Sequence, residues 1–180
     1  VKEELGRKIR EAFIPENDMF LSCDYSQIEL RILAHIANCP SMIETFTNNG
    51  DIHTKVASDI NGVDIKDVTK EMRSKAKSVI FGIVYGISSY GLMENIHTSK
   101  KEADYFIEKY YAMYPEVKEY MDNQIKDAHE KGFVKTLFNR KRVIDEIKNP
   151  NYMIRQTGER MAINTPIQGT AADIMKLAMI

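Results

Sequence analysis

Residues 73–86 read RSKAKSVIFGIVYG, and two incompatible patterns overlap in them. The run VIFGIVY is β-branched and aromatic and contains Gly82, so local preference favours a buried strand. Set on a helix, Arg73, Lys77, Phe81 and Tyr85 instead form an i, i+4 series, each about 40° on from the last, in a stripe about 120° wide. Ala76, Val79, Ile80, Ile83 and Val84 fill the adjoining arc, so such a helix buries one side and presents two cations followed by two aromatics on another. Cations one turn apart can grip a polyphosphate, the guanidinium as a planar fork and the ammonium as a point charge, while aromatics farther along stack on a sugar or base. The spacing suggests a nucleotide laid along a helix. A solvated basic turn followed by a core-packed aromatic pair would give the same spacing.

A second chemical signal is DYSQIELR at residues 24–31, directly after the apolar run 19–23, which reads as a short buried strand. An Asp where a strand gives way to a helix stands exposed at a sheet edge, where a hard divalent cation with oxygen ligands and phosphate partners can sit. A plain strand-end Asp24 fits the same pattern. Ser26 and Glu29 have the S-x-x-E spacing of a capping box, and Glu29 could combine that duty with a second one. Ile28, Ile32 and Ile36 fall on one face, which is core spacing.

The elements that must position these groups are mostly helical. An extended stretch leads into the 19–23 strand, followed by the DYSQIELR helix and loops around Pro40 and residues 48–50. Helices are predicted near 53–60, 70–85, 99–113 and 116–131, with Asp51 and Thr69 as N-caps and Pro115 separating the last pair. Residues 131–148 alternate as a hairpin turning near Asn139, and they carry Lys131, Lys135, Arg140, Lys141, Arg142 and Lys148 against Asp145 and Glu146. Such a patch could lie along phosphates or simply be solvated. A further helix follows residues 149–151, and Thr165 with Pro166 is predicted to break it ahead of a helix at 168–179.

Composition bounds the reading. A chain of 180 residues that is 43% hydrophobic can bury a core as one domain or two small subdomains. It has no run of about 18 apolar residues for a membrane span, and its N-terminal stretch lacks a signal-peptide core. Cys23 and Cys39 have no C-x-x-C spacing, which argues against zinc or a disulfide framework and points to a reducing cytoplasm. The net charge of −1 means that any nucleic-acid surface must be local.

DYSQIELR followed by R-x3-K-x3-F-x3-YG resembles motifs A and B of the family A DNA polymerases, the bacterial DNA polymerase I family. GRKIREAF at 6–13, DIHT at 51–54 and ERMAINTPIQGTAADIMK at 159–176 extend the resemblance over nearly the whole chain. It implies a mixed α/β, predominantly helical fold: a partial palm with an incomplete antiparallel sheet, plus helical fingers. Residues 1–50 and 131–180 would be palm segments and 51–130 the fingers, with motif B on 70–86. The family's motif C, a His-Asp-Glu hairpin, is expected beyond Ile180, so the chain reads as a fragment inactive by itself.

The resemblance also assigns roles. Asp24, assisted by the Tyr25 carbonyl, would ligate magnesium, two ions in the complete enzyme. Arg73, His53 and Lys77 would hold the incoming triphosphate, with Lys77 placed to protonate the leaving pyrophosphate and Gln27 nearby. Phe81 would pack on the sugar, Tyr85 would stand at the insertion site, and Glu29 beneath the sugar would exclude a 2′-hydroxyl. Arg160, Asn164 and Gln168 would line the primer-template minor groove, whose shared acceptors permit contact without sequence preference. Primer-template DNA and deoxynucleoside triphosphates are the implied partners of a cytoplasmic monomer, nucleoid-associated if bacterial. Ile80 stands where the family commonly has Asn, within the apolar arc. A catalytically inactive nucleic-acid-binding relative is opposed by the presence of Asp24, Arg73 and Lys77, and a single-subunit RNA polymerase by Glu29.

Overall fold

The computed structural model describes residues 4–180, so residues 1–3 of the N-terminal stretch lie outside it. The chain runs α1 (Glu4–Glu11), α2 (Ile28–Ile36), α3 (Pro40–Thr47), α4 (Ile52–Asn61), α5 (Lys70–Val84), α6 (Ser89–Ile96), α7 (Lys100–Met113) and α8 (Pro115–Lys131). A hairpin of β1 (Phe133–Lys135) and β2 (Lys141–Val143) then leads to the long α9 (Tyr152–Ala178). The strands pair antiparallel with Phe133 opposite Val143 and Lys135 opposite Lys141. Among the described residues the fold is thus predominantly helical with one small antiparallel sheet.

The conflict in α5 resolves in favour of helix. Val79, Ile80, Ile83 and Val84 are at most 2% exposed, packed on α4, α6 and α7. Their poor helix preference costs up to about 0.7 kcal/mol each, whereas burying such side chains contributes roughly 1.5–3 kcal/mol each. Ile80, the departure from the family pattern, is completely buried and touches the core rather than the cationic face. Caps fall where the sequence placed them: Asp51 accepts from the Thr54 amide and Thr69 from the Met72 amide.

Five expectations are corrected. Residues 19–23 form no strand; Met19, Phe20 and Leu21 are exposed, Leu21 at 92%, and among the described residues only β1 and β2 pair. An extended run without a neighbour has no ladder to close, so its β preference is not realised. Ser26 and Glu29 do not form a capping box: α2 begins at Ile28 behind Gln27, which has φ 55°, and no side chain caps it. Pro40 does not mark a loop but opens α3 at its first turn, where its missing N–H is harmless, and α1 occupies residues expected to be extended.

The fifth correction is Pro166, which lies inside a continuous α9. A helix-interior proline costs about 3 kcal/mol or more. Here Thr165, Pro166, Ile167 and Thr170 are all buried, and the hairpin clamps the same stretch. Arg142 Nη1 donates to Thr165 Oγ1 at 3.1 Å and the Leu137 amide donates to Thr170 Oγ1 at 3.0 Å. Farther up α9, Gly158 passes the 3-10 turn Asp145–Lys148 so closely that a Cβ there would stand 2.7 Å from the Ile147 amide nitrogen. Tertiary packing therefore carries α9 through a residue that would end an isolated helix.

Candidate active site

The stripe on α5 forms as its spacing predicts. Lys77 Nζ lies 5.8 Å from the Phe81 ring centre, and the Phe81 and Tyr85 rings stack at 6.1 Å with 23° between their planes. Lys77 makes no ion pair among the described residues. Arg73 does: its Nε donates to Asp51 Oδ2 at 2.6 Å and its Nη2 to Asp51 Oδ1 at 3.2 Å. The Gln27 amide donates to the same Oδ1 at 3.2 Å, which ties the segment before α2 to the starts of α4 and α5. Burial alone would raise the Asp51 pKa, but hydrogen bonds from Arg73 and Thr54 and the Arg73 charge more than reverse this, holding it well below the usual carboxylate range.

His53 is 3% exposed, with its ring 5.9 Å from that of Phe81 and its Nδ1 without a partner among the described residues. Burial, with the Arg73 and Lys77 charges adding to it and Asp51 opposing, lowers its pKa and favours the neutral ring. It therefore lies beneath the stripe rather than on it. At the other end, Tyr85 OH donates to Glu29 Oε2 at 3.0 Å. This is where the Glu29 carboxylate goes instead of back to its own helix cap. Burial, then the Glu29 charge and hydrogen bond, raises the Tyr85 pKa, and Gln168 on α9 lies close enough to oppose the shift.

Arg160, also on α9, comes to the end of α5 as well. Gly86 there has φ 65°, and a Cβ on it would stand 2.8 Å from Arg160 Cγ, so a side chain is excluded by both conformation and space. Lys77, Phe81, Tyr85, Ile87, Asn95 and Arg160 line a cleft of about 430 Å³. Asn164 is half-buried with its Oδ1 unpartnered among the described residues. Asp24 and Tyr25 are exposed just before α2. The structure thus gathers Gln27, Glu29, His53, Arg73, Lys77, Phe81 and Tyr85 along one helix, with Arg160 and Gln168 at its far end. Asp51 is the site residue that sequence reasoning passed over, because its capping role was sufficient explanation. The available signal was its place beside His53 in DIHT, opposite a stripe arginine.

The DNA polymerase family A model matches residues 1–180, the whole chain. The chain belongs to that family. It is 59% identical to the DNA polymerase I of Caldicellulosiruptor bescii and 54% identical to that of Geobacillus stearothermophilus, in each case over 100% of this chain and 21% of the relative. The chain therefore spans about a fifth of the length of these curated relatives. Among solved structures, the POL domain of Pol1 from M. smegmatis, in complex with DNA primer-template and dNTP, superposes with a TM-score of 0.88. That match has 38% identity and covers 99% of this chain and 32% of the other.

Family A membership implies a divalent metal, so the fit of Asp24 matters. Among the described residues no group of three or more His, Cys, Asp or Glu could hold an ion. Asp24 and Tyr25 are two oxygen donors and not a centre by themselves, and no step below runs through a metal. No helix among the described residues is long and apolar enough to cross a membrane.

Proposed function

We propose that this chain belongs to a DNA-templated DNA polymerase that adds deoxynucleotides to a primer 3′-hydroxyl, and that α5 carries the incoming nucleotide. The observation that carries the reading is the stripe itself: Arg73 and Lys77 lead, Phe81 and Tyr85 follow stacked, and Glu29 engages Tyr85. Residues 51–130 would be the fingers, and 1–50 with 131–180 parts of the palm. The two cations would hold the triphosphate, and the ammonium of Lys77 can hand a proton to the leaving pyrophosphate. Phe81 would support the sugar. Glu29, fixed by Tyr85, would stand under C2′ and turn away a ribonucleotide by bulk, which favours DNA over RNA synthesis. His53 would have to be uncovered to reach a phosphate.

Arg160, Asn164 and Gln168 on α9 would face the primer-template minor groove beside the insertion site, making acceptor contacts common to all base pairs. Asp24 with the Tyr25 carbonyl would contribute to the magnesium site of the complete protein. The partners would be primer-template DNA and deoxynucleoside triphosphates, met by a cytoplasmic monomer. Primer extension by the complete protein carrying this chain tests the reading. Lys77→Ala should lower kcat/KM for a dNTP by about 10²–10³-fold, the usual cost of losing one charge-stabilising donor. An unchanged kcat/KM would remove the nucleotide from α5.

A further inference from the structure

Asp51 receives donors from three parts of the chain: Gln27 before α2, Thr54 on α4 and Arg73 on α5. A guanidinium has two usable edges, the side formed by Nε and Nη2 and the end formed by Nη1 and Nη2. Asp51 takes the side edge bidentately, and Nη1 has no hydrogen-bond partner among the described residues. Resting on the nucleotide reading of α5, we infer that Asp51 is a positioning residue, which grips the side edge of Arg73 so that its end edge meets the triphosphate. Arg73 is 45% exposed in its side chain, so without this grip its long stem would sample many rotamers. Binding would then have to order it. Gln27 and Thr54 fix the carboxylate from the other side, and the low Asp51 pKa keeps it ionised at neutral pH.

A simple competitor for Arg73 would behave oppositely. Asp51 would then hold the arginine away from nucleotide, and removing its charge would tighten binding. The edge geometry favours positioning, because a bidentate side-on pair leaves a second bidentate face on the same group.

The test uses single-nucleotide primer extension by the complete protein carrying this chain, comparing wild type, D51N, R73A and the double variant. Asn caps helices as well as Asp, so D51N keeps the start of α4 while losing the charged grip; Asp51→Ser, another capping residue, serves if D51N does not fold. The expected result is a dNTP KM raised about five- to tenfold by D51N, with kcat within about twofold and no further rise when R73A is already present. A lowered or unchanged KM in D51N, with R73A still impaired, overturns the positioning role and leaves the nucleotide reading intact. A D51N defect that persists in the R73A background, or falls on kcat, marks Asp51 as merely structural and also overturns it. If R73A itself leaves KM unchanged, the nucleotide reading fails and takes this inference with it.

Discussion

Two basic regions of this chain look alike in sequence and differ in what their cations do. On the hairpin, Arg140 donates to Asp173 at 2.7 Å and to the Gly169 carbonyl at 2.8 Å, Arg142 donates to buried Thr165, and Lys141 lies 3.7 Å over the Phe133 ring. These cations fasten the hairpin to α9 and to itself. On α5, Lys77 has no ion-pair partner among the described residues and Arg73 is engaged along one edge only. A count of positive charges cannot separate the two cases. What separates them is how many of the donors are already used.

The largest effect expected to sharpen this contrast is structural. Gly158→Ala should destabilise the fold by about 1–3 kcal/mol, because the added Cβ meets the backbone of Glu146 and Ile147, which cannot swing aside. Denaturant unfolding would show it, and the dNTP KM should stay at the wild-type value; a KM that moved with stability would mean that the hairpin and α5 are one coupled unit. A smaller effect is expected at Lys135, an exposed hairpin residue with no ion pair among the described residues. Lys135→Ala should weaken binding of the complete protein to primer-template a few-fold and flatten its salt dependence by about one unit of slope. A slope equal to that of wild type would make the whole hairpin structural.

The site was more legible than the framework that holds it. The i, i+4 series from Arg73 to Tyr85 survived because one periodic helix sets all four positions, and the Asp51 and Thr69 caps are equally local. Elements that depend on distant partners were not readable. The 19–23 run has strand character, but strand formation requires a neighbour. Pro166 breaks an isolated helix, yet buried contacts to the hairpin carry α9 past it. Glu29 matched a capping box by spacing, while its carboxylate is bound 56 positions away by Tyr85. Asp51 was half-legible: one lobe of its function is a local cap, and the other requires knowing that α4 and α5 start side by side.

The most direct test sets the two arginine sites against each other in one assay of the complete protein carrying this chain. The dNTP dependence of primer extension should show KM for Arg73→Ala raised roughly 10–100-fold, the loss of charge-assisted hydrogen bonds to phosphate, while Arg142→Ala stays within about twofold of wild type. Equal shifts in the two variants, or a shift in Arg142→Ala alone, would contradict the assignment of the nucleotide to the exposed face of α5.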